Sequence, residues 1–227
     1  MVKLSKIVSE QGDEQDATPV AIDGADDDQI SNGAAGLIGL SMPYVAEITV
    51  RGTARLLMHA WNVEAVQEKA DAAKNSAQKK TDDVESYSYR TATGLLGVPG
   101  AAFKASIVGA GRSMQDPRSP RKSAMDLLKA IVLPLDVVAP FIPERYEWDL
   151  VDRQRVVVQR AAVTRSRPAF EPGWTVAFQV MVNAPQYLAP DKLHQLAVQA
   201  GMFCGLLDYR PTYGRFQVTN FKVLPME

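Results

Sequence analysis

Apolar and polar residues alternate with a period of two in three segments of the chain, and this alternation predicts three strands. The segments are Tyr44–Thr53, Trp174–Asn183 and Phe216–Val223. In the second segment, the apolar face is formed by Trp174, Val176, Phe178, Val180 and Val182. Each predicted strand is therefore expected to bury one of its two faces against a core.

Three other segments carry patterns typical of helices. Ala101–Gly111 is rich in small residues and follows Pro99, which suits a first helical turn. Ser123–Ile131 predicts a short helix, and Pro190–Cys204 has apolar residues at helical spacing. Small residues in the first of these helices would allow it to lie close to a sheet.

Prolines and arginines mark the remaining elements. Met114–Pro120 is predicted to be a loop, and Ile131–Pro143, with three prolines, an edge strand or a packed loop. Arg155–Val163 is predicted to be a basic strand. A turn at Arg167–Gly173 is expected to join it to the strand that begins at Trp174, as a hairpin.

Without insertions, these elements follow the order β-α-β-β-α-β. This order predicts an α+β, ferredoxin-like core with an antiparallel sheet. Such a sheet carries its helices on one face, which leaves the other face or an edge free for a ligand.

Charge divides the 227 residues into two parts. Residues 1–40 hold eight acidic and two basic residues, whereas the rest has a net charge of +5. We therefore predict a flexible acidic N-terminal arm over 1–40 and one domain over 41–227. Residues 62–92 are rich in Ala, Lys, Glu and Asp with few large apolar residues, and they are predicted to form a long insertion.

The composition indicates a protein of the reducing cytoplasm. The single cysteine excludes an intramolecular disulfide, and the acidic N-terminus is unlike a secretory signal. No apolar run approaches the roughly 18 residues of a membrane-spanning helix.

Four features of the chain resemble the RAMP superfamily, whose members form the backbone of CRISPR effector complexes. They are the strand ending in Arg51-Gly52-Thr53 before Leu56–His59, the insertion after it, Gly97–Gly100 opening a helix, and the late loop Gly205–Arg215. The resemblance implies subunits that assemble head to tail along a guide RNA, with an insertion that protrudes between bases.

Basic and aromatic residues indicate a surface for single-stranded nucleic acid, with RNA favoured by the resemblance. Lysine and arginine neutralise phosphates, and aromatic rings stack on bases. The candidate residues are Arg112, Arg118, Arg121, Lys122, Arg153, Arg155, Arg160, Arg165, Arg167, Tyr209, Arg210, Tyr213 and Arg215. Arg165 and Arg167 would share a face with Arg153 and Arg155 if no bulge intervenes.

Two alternatives remain open. The arginines can instead solvate an exposed face and pair with acids such as Asp152, Asp208 and Glu171. In a viral or assembly structural protein with no nucleic-acid role, they would form salt bridges between subunits. A metal-independent ribonuclease would use His59 as a general base, but no further motif supports catalysis. We expect no enzyme activity, no cofactor and no metal site, and structural roles for His194 and a buried Cys204.

Overall fold

The computed structural model describes residues 42–73, 83–158 and 161–225. The predicted arm over 1–40 lies outside this part of the chain, as do residues 74–82 of the predicted insertion. The division into arm and domain therefore stays a prediction. In the described part of the insertion, helix α1 spans Val63–Asp71 and begins after Asn62, whose side chain accepts a hydrogen bond from the backbone N–H of Ala65.

The strands are β1 (Tyr44–Gly52), β2 (Leu56–Leu57), β3 (Gly97–Pro99), β4 (Gln115–Asp116), β5 (Ser119–Ser123), β6 (Val132–Pro134), β7 (Val138–Pro140), β8 (Leu150–Val158), β9 (Ala161–Phe170), β10 (Thr175–Val182) and β11 (Phe216–Leu224). Besides α1, the helices are α2 (Gly100–Ala110), α3 (Met125–Ile131) and α4 (Pro190–Gln199). A π-helical turn, Ala200–Cys204, follows α4 directly. In the described part of the chain, no helix is long and apolar enough to cross a membrane.

The main sheet contains four strands in the order β11-β1-β10-β6, and each neighbouring pair is antiparallel. Every second residue of β1 from Tyr44 to Val50 is buried, and so is every second residue of β10 from Val176 to Val182. The period-two alternation of both segments is therefore confirmed, because each strand buries one face. The same expectation is wrong for β11, where Phe216 is the one buried residue and the pairing with β1 shifts register between Thr49 and Val50.

Helix α2 covers the buried face of this sheet. Phe103 stacks on Phe178 of β10 with the ring centroids 4.4 Å apart, and Ile107 is fully buried beside it. Helices α3 and α4 both contact α2. The prediction of an α+β fold with antiparallel sheets is confirmed.

One predicted strand is wrong. Residues 155–163 do not form a single strand beside β10, because β8 ends at Val158, β9 begins at Ala161, and the two pair with each other. A second sheet, β2-β9-β8, results. The sequence gives no signal that a strand ends here, because residues 159 and 160 include neither glycine nor proline. The Pro-Gly pair after β9, in contrast, lies between strands of different sheets.

Two other predictions differ in detail. The segment 114–120, predicted to be a loop, instead contains part of the β4–β5 hairpin. The hairpin is a short two-stranded ribbon around Pro117. The proline-rich segment 131–143 contains two short strands, of which β6 lies at the edge of the main sheet. An edge position is where proline is tolerated, because a ladder hydrogen bond is not required on the outer side.

Candidate nucleic-acid interface

Two neighbouring clefts lie along α2, and a third lies beyond the C-terminal end of this helix. Ala105 and Arg210 line both the first and the central cleft, and Ser113 lines both the central and the third. Since neighbouring clefts share lining residues, they are adjacent, and we call the three together the α2 groove. Small side chains on α2, such as Ala105 and Gly109, leave the floor of this groove open.

The central cleft has a volume of about 620 Å³ and combines cations with an exposed aromatic ring. Arg112, Phe203, Cys204 and Arg210 line it. The Phe203 side chain is 68% exposed, which is unusual for a large apolar residue. Guanidinium groups that clamp phosphates beside a ring on which a base stacks are the arrangement found where single strands bind.

The thiol of Cys204 reports on the same surroundings. Burial raises its pKa, and the positive charges of Arg210 and Arg112 act in the opposite direction. Both arginines are therefore close enough to influence a group inside the cleft. The cysteine was expected to be buried, but it is only partly buried and forms part of the cleft wall.

The exposure of Phe203 has a structural cause. In α4, Leu193, Leu196 and Ala197 are buried, and Ala200 continues this stripe. An α-helical period would bury a residue one turn later, at 203 or 204. The π-helical turn adds a residue per turn and shifts this register, so Phe203 points away from the core. Periodicity alone therefore could not identify this ring as part of a site.

The third cleft, of about 460 Å³, lies between α4 and the β4–β5 hairpin. Lys192 and Gln195 line it from α4, and Gln115 and Pro117 line it from the hairpin. The same hairpin carries three predicted candidates: Arg118, Arg121 and Lys122, all of them exposed. Lys192 and Gln195 were not predicted to belong to a site, because isolated polar residues on an exposed helix face carry no sequence signal.

Arg118 differs from its two neighbours on the hairpin because it is paired within the chain. Its Nε and Nη2 donate to Oδ1 and Oδ2 of Asp116 at 3.0 and 2.9 Å. Hydrogen bonds from Arg118 hold the pKa of the Asp116 carboxyl below its usual range. This two-pronged pairing leaves less of the guanidinium for a phosphate than in a free arginine.

The loop between the π-helical turn and β11 closes one side of the groove. Gly205 and Gly214 both have φ of +71°, and the backbone N–H of Leu206 donates to the Gly214 carbonyl at 2.9 Å. A Cβ at Gly214 would meet the backbone oxygen of Leu206. Both positions therefore require glycine, because of backbone conformation and close approach. The loop predicted from its two glycines is confirmed.

Asp208 is the centre of the polar contacts in this loop. Its Oδ2 accepts a hydrogen bond from Arg167 Nε at 2.6 Å and lies 3.4 Å from His59 Nδ1. The flanking residues Leu207 and Tyr209 have φ of 57° and 54°, in the left-handed region that costs such residues about 1–2 kcal/mol. The backbone N–H of Asp208 donates to Leu57 O at 3.2 Å, which attaches the loop to β2.

This arrangement gives Arg167 an internal role. Its side chain is only 7% exposed, and its guanidinium carbon lies 4.6 Å from the centre of the Tyr209 ring. The alternative that arginines pair with nearby acids is therefore confirmed for Arg167 and Asp208. A buried, ion-paired guanidinium is not available to a phosphate, so we remove Arg167 from the candidate contacts.

Tyr209, Tyr213 and Arg215 also take part in contacts within the loop. The two tyrosine rings lie 6.1 Å apart, and Gln154 donates to the Tyr213 hydroxyl at 3.0 Å. Arg215 is exposed, and its Nε donates to the carbonyl of Pro211 at 2.8 Å. These three residues were grouped with Arg210 because they are close to it in sequence. Of the four, Arg210 alone is among the residues lining the α2 groove.

The arginines of the β8–β9 hairpin occupy two faces. Arg153 is paired with Ser166 and Arg155 with Thr164, whereas Arg165 is paired with Gln154. Directly paired residues point to the same face, so Arg165 and Arg167 lie opposite Arg153 and Arg155. The predicted common face is wrong, because β9 pairs antiparallel with β8 in a register that places Arg165 opposite Gln154. Arg160 lies outside the described residues.

The first cleft, of about 270 Å³, contains both aromatic and charged groups. His59, Tyr89, Asp208 and Arg210 line it, and the Tyr89 hydroxyl donates to the His59 carbonyl at 3.3 Å. Burial, followed by the negative charge of Asp208, raises the pKa of Tyr89. Within residues 42–73, 83–158 and 161–225, no group of three His, Cys, Asp or Glu side chains is arranged to hold a metal ion.

Comparison with known proteins gives no matching family profile and no matching curated protein. A chain of the Type III-B Cmr-beta complex bound to cognate target RNA, determined by cryo-EM, is 10% identical with a TM-score of 0.47, and the match covers 87% of this chain and 64% of that one. Csc2 from Thermofilum pendens is 10% identical with a TM-score of 0.35, and the match covers 82% of this chain and 68% of Csc2. This chain thus spans less than two thirds of the first neighbour. Both TM-scores are below 0.5, so the function is argued from the groove itself.

Proposed function

We propose that this protein binds single-stranded nucleic acid, with RNA favoured, in the α2 groove, and that it does so without catalysing a reaction. The single observation that carries the proposal is the central cleft, where Arg112 and Arg210 lie with the exposed ring of Phe203. The cations supply the affinity by releasing counterions from phosphates, and the ring supplies a stacking surface for a base. The preference for RNA rests on the resemblance of the sequence to RAMP proteins.

The proposal includes a ferredoxin-like core and assembly in the manner of a RAMP backbone subunit. The antiparallel order β11-β1-β10-β6, with helices before β6 and before β11, supports such a core, because it matches the spatial order of a split β-α-β fold. Head-to-tail assembly of copies along the strand is supported by exposed apolar side chains that are not among the residues lining the groove, such as Trp61 and Val137, which are 78% and 88% exposed.

Salt dependence tests the proposal against the structural alternative. Three cations line the groove, Arg112, Arg210 and Lys192, so log Kobs for single-stranded RNA should fall with log salt with a slope of about −2. The corresponding loss of affinity between about 50 and about 200 mM salt is roughly 20-fold. Fluorescence anisotropy measures it, and light scattering on the same mixtures reports assembly as an increase in mass.

Three outcomes of this titration would count against the proposal. The absence of binding at low salt would favour a structural protein that assembles without nucleic acid. Equal affinity at both salt concentrations would exclude phosphate contacts as the main source of binding. Shortened RNA in a gel of the same mixture would contradict the proposed lack of catalysis, and would direct attention to His59, whose Nδ1 lies 3.4 Å from Asp208.

A further inference from the structure

The first cleft differs from the rest of the α2 groove in its charge. Among the residues that line the three clefts, Asp208 is the one acidic side chain, whereas arginine and lysine line the others. A carboxylate repels phosphate, so this end of a phosphate-binding groove is poorly suited to the backbone of a strand. It is instead suited to a group that donates hydrogen bonds.

Asp208 retains the capacity to accept such a hydrogen bond. Its Oδ2 accepts from Arg167 and lies near His59, whereas its Oδ1 accepts from the backbone N–H of Tyr209 at 3.1 Å. A carboxylate oxygen can accept two hydrogen bonds, so Oδ1 has a position left for a ligand. The side chain is 31% exposed and therefore accessible from the cleft.

The other walls of the first cleft fit a flat ring. His59 and Tyr89 bring aromatic rings to it, and Ala102 and Ala105 line it from α2 with methyl groups only. Its volume of about 270 Å³ equals roughly nine water molecules, which is space for a ring system and not only for bridging solvent. Arg210 lines both this cleft and the central one, so it can hold the phosphate next to a base in the first cleft.

We infer that the first cleft receives one unstacked base of the bound strand and prefers guanine. The Watson–Crick edge of guanine presents two adjacent donors, N1–H and N2–H, so the position left on Asp208 Oδ1 can accept from one of them and faces no lone pair at the other. Adenine and cytosine place an acceptor nitrogen beside their amino group, and uracil flanks its single N–H with carbonyl oxygens, which a carboxylate repels. This inference rests on the proposed function, because the base must belong to a strand that lies in the groove.

Base preference is measured with the complete chain and four labelled RNAs. Each is a uridine oligonucleotide of about ten residues, either unchanged or with one central guanine, adenine or cytosine. We expect the guanine RNA to bind about tenfold more tightly than the other three, since a hydrogen bond to a charged acceptor discriminates to that degree. Equal affinity for all four overturns the guanine inference alone, whereas no binding of any RNA at low salt overturns the proposed function as well.

Two kinds of variant locate the preference in the cleft. In Asp208→Asn, the ratio of the uridine and guanine dissociation constants should fall from about ten to below two, because an amide presents a donor where the carboxylate accepts. Ala102→Leu reduces the cleft without touching the carboxylate and should lower the ratio equally. Ala101→Leu is the matched control, since Ala101 is exposed on the same helix and is not among the residues lining the three clefts.

A thermal melt of each variant separates loss of preference from loss of folding, because Asp208 also contacts Arg167 and His59. If Asp208→Asn does not fold, the guanine inference is tested by comparing the ratio of dissociation constants in Ala102→Leu with the ratio in Ala101→Leu. A ratio that remains near ten in Ala102→Leu would show that guanine is selected elsewhere and would overturn the inference.

Discussion

Replacement of both Arg112 and Arg210 with glutamine is expected to weaken the binding of single-stranded RNA roughly 100-fold at low salt, about tenfold for each charge-assisted phosphate contact. Both side chains line the central cleft beside Phe203, so both are positioned for the same strand. The magnitude of the salt slope should fall by about 1.4, since each phosphate contact to a single strand contributes about 0.7. Anisotropy titrations at several salt concentrations measure both quantities.

The control for this double variant removes the same charge elsewhere. Lys129 and Lys222 are exposed on α3 and β11, and neither is among the residues lining the three clefts. Replacement of both with glutamine should change the affinity less than about threefold, because neither side chain lines a cleft and salt screens exposed charges that make no direct contact with the strand. An equal loss of affinity in the two double variants would mean that net charge, and not the groove, attracts the RNA.

The variant Trp174→Ala should be the most damaging single change to the fold. The ring is 1% exposed, and its Nε1 donates to the carbonyl of Ala54 at 2.9 Å. Truncation creates a cavity and leaves this carbonyl without its partner, so we expect the free energy of unfolding to fall by about 3–5 kcal/mol. Equilibrium unfolding in urea measures the loss.

Trp61 supplies a matched control in the same chain. Its side chain is 78% exposed, so Trp61→Ala should change the free energy of unfolding by no more than about 0.5 kcal/mol. If Trp174→Ala lost less than about 1 kcal/mol, the result would contradict the burial of this ring in the core. Similar decreases in the free energy of unfolding for the two variants would also contradict the burial of Trp174.

The parts of the fold that sequence predicted are those that a local pattern determines. The strands that became β1 and β10 were identified because burial of one face imposes alternation on eight or more residues. The loop from Gly205 to Arg215 was identified because left-handed backbone at both ends requires glycine. Each of these features is recorded within a short stretch of the chain.

The features that sequence missed depend on distant residues or on a change of register. No glycine or proline lies between β8 and β9, and the ends of these two strands follow from their pairing along their whole length. Phe203 is exposed because of a π-helical turn, and the spacing of apolar residues in the sequence does not predict such a turn. The contacts of Asp208 join it to Arg167 and His59, which are 41 and 149 positions away in sequence.

The sequence identified the basic segments of the candidate site but not which of their side chains face a cleft. Arginine-rich segments were correctly recognised as basic, but composition could not divide them by environment. Arg112 and Arg210 come together across α2, although they are far apart in sequence. Arg167, in contrast, is buried against Asp208, and Arg118 is paired with Asp116. Tertiary packing, rather than charge density, therefore selects which cations remain available.

The accessibility of Cys204 to an alkylating reagent gives the most direct test that a strand occupies the groove. This residue is the only cysteine of the chain and lines the central cleft, so one modification reports on one place. Because its pKa is raised, less thiolate is present at a given pH, and the reaction should be followed at a pH of about 8.5 or above. Single-stranded RNA at about ten times its dissociation constant should slow alkylation about tenfold, and high salt should abolish this protection. An unchanged rate under conditions where anisotropy shows the RNA to be bound would contradict binding in the groove.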